Sequence, residues 1–460
     1  MKRIITGLLL SCCTTYVHAQ DLAGFRTSNY AGVNSVFYNP ASIANSRYRF
    51  DVNVFAVNVG VSNNQLKYKL SDIGSSFNED TLKNQLFGQN AGLTKALVNL
   101  GVHAPSVMFN VGKFSFAVTS RVRMVTNVTD LDGKLADKVI NDFSNDPNLP
   151  YKIASDNNMR VSMNGWAEIG ASVAREVLAV GPHHLKAGIT LKYLAGAGNG
   201  TINIDKLHAT LDVDQVKEDA YLTDAKGAIG MNFAGFSVSD FDVNDLTKFT
   251  GRGFGIDLGA VYEYCSGADQ NYKYRVGLSL LDAGKIKYER DVTRSGTFAI
   301  NIPAGQQFAF SNLDGVSLDN YKAELTKYPQ YFQASKDNDR DKYSVSLPTT
   351  LRIDGDYHIH NAFYVNLDVQ FALSSGKNKP YNAQYFNAFS ITPRYDGKIF
   401  GFFLPISYNE LSKLNAGASF RVGPLFVGSG SVLTALMGSS HQVDGFIGIH
   451  IGGLARKAAK

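Results

Sequence analysis

Over most of the chain, apolar and polar residues alternate one for one in runs of about ten, the period of a strand with two different faces. Phe114, Phe116, Val118, Val122 and Met124 alternate with Ser115, Ala117, Thr119, Arg121 and Arg123. Leu185, Ala187, Ile189, Leu191 and Tyr193 alternate with Lys186, Gly188, Thr190 and Lys192. The same rhythm runs through Phe254–Tyr264, Tyr272–Leu280, Phe363–Phe371 and Leu414–Val422. It predicts about fourteen strands. They begin near Arg49, Pro105, Phe114, Arg160, His184, Arg252, Tyr272, Leu347, Ala362, Ala383, Ile399, Leu411, Leu425 and Val443.

Alternation would suit a soluble sandwich equally well, so the connections have to decide. One set is tight: Gly112-Lys113, the Gly181-Pro182 stretch, Ser266 to Asn271, His360-Asn361, Asp396-Gly397 and Gly423-Pro424. The other set interleaves with it. It contains Ser62–Ala104, Thr129–Met159, Thr201–Gly251 and Lys285–Ser346, roughly 30 to 60 residues each, followed by three short members. Long loops on one side and tight turns on the other mark an all-β transmembrane antiparallel barrel with periplasmic turns and external loops. An even strand number leaves both chain ends in the periplasm. The barrel proper spans 49–453.

Composition adds the compartment. Lys2-Arg3 followed by the apolar run Ile4–Leu10 reads as a secretory signal over residues 1–19, cleaved after Ala19. Leu9-Leu10-Ser11-Cys12 offers a lipoprotein reading as the alternative. The exported chain then keeps Cys265 as its one thiol, which excludes an internal disulfide and a cysteine metal site. No later stretch has about 18 consecutive apolar residues, so no transmembrane helix is expected. A net charge of +5 over 460 residues gives no case for nucleic acid. Residues 20–48 lack strand periodicity yet carry Phe25, Tyr30, Phe37 and Tyr38, poor choices for a free tail and useful filling for a barrel. Residues 454–460 form a basic periplasmic tail.

The tract Ser35-Val36-Phe37-Tyr38-Asn39-Pro40-Ala41 resembles the N-terminal hatch motif of the FadL-like long-chain fatty-acid transporters. That resemblance implies a plug, with Phe37, Tyr38, Asn39, Pro40 and Ala41 as its motif, inside a fourteen-stranded barrel. Read without it, Asn39-Pro40 is an ordinary turn before a strand. The pieces Gly188–Leu194, Gly253–Gly259, Leu278–Gly284 and Leu404–Tyr408 are similar to a related group of outer-membrane barrels known mainly as a domain of unknown function. The porin-V-like shuttle of type IX secretion is similar in fold and is not a lipid channel.

Candidate chemistry is sparse. Arg121, Arg123, Glu168, Lys192, Asp257, Arg275 and Asp368 fall on the polar faces and would point into the lumen. Both signs are present, so they read first as a mutually neutralising network and second as a path for an anionic headgroup. Trp166, Leu194, Val261, Leu281 and Phe446 are apolar candidates on the same inner wall. Asp337, Asp339 and Asp341 lack the glycine and distal glutamate of a calcium loop. No Gly-x-Ser-x-Gly elbow or His-Glu-x-x-His pair is present, so neither catalysis nor a cofactor or metal is expected, an outer-membrane phospholipase or protease being the competing case. Two functions follow. The resemblance implies passive uptake of a small hydrophobic molecule through outer-membrane lipid. The alternative is a non-transporting barrel that docks a secreted or surface protein through its long loops, where Phe308, Phe310, Tyr321, Tyr328, Tyr331 and Phe332 suit either role.

Overall fold

The computed structural model describes residues 22–69, 92–133, 149–217, 219–235, 248–265, 272–377 and 379–454. The expected signal sequence, the tail after Leu454 and the turn Ser266–Asn271 lie outside them. Fourteen antiparallel strands close on themselves. In chain order they are β1 Tyr48–Asn63, β2 Leu93–His103 with Ser106–Val111, β3 Phe114–Asp132, β4 Asn158–Val180 and β5 His183–Asp214. Then come β6 Gly251–Tyr264, β7 Tyr274–Glu289, β8 Lys342–Ser346 with Thr350–His360, β9 Phe363–Ala372 and β10 Ala388–Asp396. The last are β11 Phe400–Phe403 with Ile406–Asn409, β12 Lys413–Ala416 with Ala418–Val422, β13 Leu425–Ser429 and β14 Gln442–Leu454. Each pairs with the next, and β14 closes on β1 from Tyr48↔Leu454 to Ser62↔Gln442.

The tight turns are set by backbone chemistry. Gly112, Gly181 and Gly423 have φ of +59°, +55° and +56°, and Asn361 has +51°. A two-residue hairpin that follows the sheet twist needs this left-handed backbone, which glycine and asparagine tolerate best. Proline sets several breaks. Pro105, Pro348 and Pro405 lie at the interruptions of β2, β8 and β11, where the missing N–H removes a ladder bond.

Outward side chains are apolar: Phe114, Phe116, Val118, Leu191, Phe254, Leu258, Val276, Leu367 and Phe420 are all exposed. Tyr264 and Tyr274 stack at 5.0 Å beside the tight-turn end, part of an aromatic girdle. The inward positions are buried and largely polar.

The long connections are not plain loops. β5 continues to Asp214 and its far half pairs with a further strand, Asp219–Ala234. Gly296–Ile302 adds to that strand, and Tyr151–Ala154 adds to β5. Leu207, Ala209, Leu211 and Val213 alternate into a separate core with Phe298, Ile300, Ile302 and Phe308, so this annex buries its own apolar face beyond the membrane. The aromatics Phe308, Tyr321 and Phe332 are buried in it, with Phe308 edge-on to Phe332 at 4.9 Å. Strand starts differ accordingly from the sequence reading. β2 begins at Leu93 rather than Pro105, and β8 at Lys342 rather than Leu347, because the strand resumes across each proline break. β10 begins at Ala388 rather than Ala383, because Tyr381–Phe386 turns inward to pack on the wall.

Candidate functional site

Irregular backbone inside a membrane barrel needs partners for its N–H and C=O groups, since lipid supplies none. The described part of the N-terminal segment, 22–47, finds them on inward-facing side chains. It runs through three short 3-10 turns, Phe25–Thr27, Gly32–Phe37 and Pro40–Ile43. Asp396 accepts from Ser28 Oγ (2.9 Å) and from the Asn29 amide (2.7 Å). Asp51 accepts from the Val33 amide (2.8 Å), with His450 Nδ1 on its other oxygen (2.8 Å). Ser279 and Ser419 donate to the carbonyls of Tyr38 (2.9 Å) and Ala23 (2.6 Å). Phe25 stacks on Phe426 with centroids 4.0 Å apart and meets Phe403 edge-on.

The five motif residues have distinct contacts. Phe37 lies under the Arg121 guanidinium, 4.5 Å from ring centre, and edge-on to His103 at 4.6 Å. Tyr38 donates to Asp368 (3.1 Å), which also takes Arg26 (2.9 Å) and Arg352 (3.3 Å). Asn39 is extended, as the residue before a proline prefers. Its Oδ1 accepts from the Ala41 amide (2.9 Å), capping the turn that Pro40 opens. Its Nδ2 donates to the backbone carbonyls of Ala260 and Leu278, 3.2 Å each, on β6 and β7. The wall admits this approach because it has no side chain there. A Cβ on Gly188 would collide with Pro40 and Ala41, and one on Gly259 with the Asn39 amide. Nothing in the sequence of Gly188–Leu194 or Gly253–Gly259 marks these glycines as the seat for Asn39-Pro40-Ala41.

The candidate lumen residues divide among three clusters. Arg121, Arg123, Glu168, Lys192 and Asp257 come together and share a further carboxylate, Asp282. Asp282 receives Arg123 (2.9 Å), Lys192 (2.7 Å) and Arg121 (3.6 Å), and Lys192 also holds Asp257 (2.7 Å). Three cations meet three anions, so the cluster is neutral. Arg275 sits apart with Asp354 and Asp356, beside Arg394. Asp368 belongs to the cluster at Tyr38. Asp282 was missed because it sits on a β-bulge. β7 slips between Leu280 and Ala283 and Asp282 takes φ +58°, which turns its carboxylate inward. The consecutive apolar pair Leu280-Leu281 was the available signal. Trp166, Leu194, Val261, Leu281 and Phe446 are all buried.

From the long-loop end, the β9–β10 connection folds inward. Gln384 N accepts no role in a ladder and instead donates to Asn127 Oδ1 (3.0 Å), while Asn127 Nδ2 donates to Gln384 O (2.9 Å). Arg123 reaches Tyr385 OH (2.9 Å), and Ser346 N reaches Asn382 (2.9 Å). Between this connection and the N-terminal segment lies a cavity of about 110 Å³, lined by Leu22, Phe37, Tyr38, Arg123, Tyr385 and Phe386 among others. For scale, an enclosed apolar cavity of roughly 150 Å³ holds benzene.

A closed barrel with an apolar outside, a charged inside and its long connections at one end is an outer-membrane β-barrel. More particularly, the chain belongs to the family described as "Family of unknown function (DUF5723)", whose model matches residues 40–430. No curated protein matches the sequence. Similar solved structures include the P. putida toluene transporter TodX, at 10% identity and TM-score 0.46, covering 95% of this chain and 100% of that one. A Pseudomonas aeruginosa FadL homologue is 10% identical with TM-score 0.42, covering 95% and 99%. The CymD monoaromatic hydrocarbon channel is 11% identical with TM-score 0.40, covering 96% and 98%.

Proposed function

We propose that this protein is a gated passive channel for small hydrophobic molecules, with the N-terminal segment 20–48, described from Leu22 and passing into β1 at Tyr48, as its plug. The supporting observation is the junction of plug and wall at the break in β2. The β1–β2 ladder pairs Asn53 with Ser106 and Ala56 with His103 but skips the two rungs between, at Ala104-Pro105. Asn53 Nδ2 fills the gap by donating to Ala104 O (3.2 Å). On the inner side Asn34 donates to Asn53 (3.3 Å) and Phe37 touches His103. On the outer side Val54, Phe55 and Val107 face lipid. A kinked strand with the plug behind it suits sideways release of an apolar molecule into the bilayer. Docking of a secreted or surface protein would favour a flat apolar patch outside. The annex aromatics are instead turned into their own core.

The test uses cells expressing the protein and the hydrophobic probe 1-N-phenylnaphthylamine. Faster probe entry than in cells lacking the protein supports the channel. Deleting residues 21–35 should leave the barrel inserted and raise planar-bilayer conductance. Unchanged probe entry together with unchanged conductance would overturn the reading.

A further inference from the structure

The inward arginines Arg121, Arg123, Arg275, Arg352, Arg394 and Arg421 each have a carboxylate within 4.0 Å. Arg160 does not. It is buried on β4 at the long-loop end, 3% exposed, and its Nη2 donates to Thr129 Oγ1 at 3.2 Å. Its Nε has no partner among the described residues. Asp130, whose field reaches it, is already engaged by Lys95 at 3.1 Å. A guanidinium taken out of water without a counter-charge is unfavourable, so such a position calls for an anion.

A second, independent observation lies on the same wall. Ser162 Oγ, Thr201 Oγ1 and Asn164 Nδ2 are buried with no partner among the described residues. Ser162 pairs directly with Thr201 across β4 and β5, and Asn164 with Asn199. Cross-strand neighbours are about 5 Å apart and same-face neighbours along a strand about 7 Å. Arg160, Ser162 and Thr201 are thus successive neighbours on the inner face, each with a buried polar atom that no described residue satisfies. Gly376 of the β9–β10 connection lies against Arg160, since a Cβ there would overlap the guanidinium.

We propose that Arg160, Ser162 and Thr201 form a binding site for one anionic oxygen group, a carboxylate, sulfate or phosphate, at the external mouth under the β9–β10 connection. The site takes its ligand from outside, whether as a free small anion or as the head of an amphiphile, and it does not depend on anything crossing the membrane.

Isothermal titration of the purified full-length barrel in a nonionic detergent tests this with acetate, sulfate, inorganic phosphate, octanoate and uncharged octanol. Saturable binding of at least one anion is expected, weakened at least tenfold by Arg160→Gln and several-fold by the Ser162→Ala, Thr201→Val pair, with Arg160→Lys intermediate. Saturation by sulfate, phosphate or acetate assigns a free-anion site; saturation by octanoate alone assigns an amphiphile head. Because Arg160→Met removes an uncompensated buried charge, it should melt no lower than the wild type without anions, and added anion should raise only the wild-type melting temperature. Absence of anion binding, equal binding of octanol and octanoate, native affinity in Arg160→Gln, or a lower melting point in anion-free Arg160→Met would each overturn the proposal.

Discussion

Replacing Asn39 by alanine should loosen the proposed plug by an amount that can be worked out from its bonds. The side chain donates twice to wall carbonyls, at 3.2 Å each, and accepts once from the Ala41 amide at 2.9 Å. Two neutral bonds contribute about 0.5–1.5 kcal/mol each, and loss of a cap costs about 1 kcal/mol. The sum is roughly 2–4 kcal/mol, which shifts a docked–undocked ratio between about 30-fold and several-hundred-fold. Asn39→Asp keeps the cap acceptor but loses both donors and sets a carboxylate against two carbonyl oxygens, so it should loosen the segment at least as much. Gly259→Val should do the same from the other side by filling the seat. The assay is the open fraction of single barrels in planar bilayers, paired with protease sensitivity of the first 30 or so residues. If all three variants conduct like the wild type and their N-termini are equally protected, the contacts do not hold a plug.

Three further outcomes are expected. Leu367 faces lipid, so Leu367→Arg should cost about 2–4 kcal/mol in unfolding titrations while Leu367→Phe stays near wild type; its inward neighbour Asn366 is fully buried, and an arginine there would overpack as well. An epitope tag placed after Gly315, an exposed turn at φ +74°, should be labelled on intact cells, and labelling only after permeabilisation would reverse the orientation. Asp282→Asn should cost about 3–5 kcal/mol by stranding buried cations, and adding Lys192→Met should recover much of it, whereas simple additivity of the two losses would show that the cluster is not a mutually neutralising unit.

The barrel was legible because each strand solves the same problem, lipid outside and polar groups inside, and writes it as period two. The outward set from Phe114 to Val422 follows directly from that. What escaped notice lies where the period breaks. Asp282 sits on a bulge, so its side chain faces the lumen out of phase. The annex hides behind a similar slip, since β5 and its partner change register between Asp205 and His208, separating Ile202 and Ile204 from Leu207 and Ala209 in parity. Arg26 lies in a segment with no period at all, and Asp396, read as part of a turn, is the end of β10 and an anchor for Ser28 and Asn29. The motif Phe37–Ala41 was visible in sequence, but its seat on Gly188 and Gly259 was not, because missing side chains leave no signal until two strands are placed side by side.

The two segments that close the lumen are held by different chemistry, and this predicts which one yields first. Among the described residues six charge-assisted bonds tie the N-terminal segment to the wall: Arg26 and Tyr38 to Asp368, Ser28 and Asn29 to Asp396, Val33 to Asp51, and Arg47 to Tyr364. The β9–β10 connection has two bonds of that kind among the described residues, Arg123 to Tyr385 and the exposed Asn387 to Glu410, beside neutral bonds through Asn127, Asn199, Gln370 and Asn382. Bonds to charged groups contribute about 1.5–3 kcal/mol and neutral ones about 0.5–1.5 kcal/mol, so the N-terminal segment has the deeper well by several kcal/mol even though the number of contacts is similar. Its aromatic stack of Phe25 on Phe426 adds to the same side. Local opening follows local stability, so the amides of Gly376 and Gln384 should exchange with deuterium well before those of Asn29, Val33 and Ala41. Asn127→Ala should speed exchange at Gln384 further and leave Val33 unchanged. Equal rates for the two segments, or earlier exchange at Val33, would mean that the charged anchors do not set the order of opening, and the external connection would lose its place as the first gate.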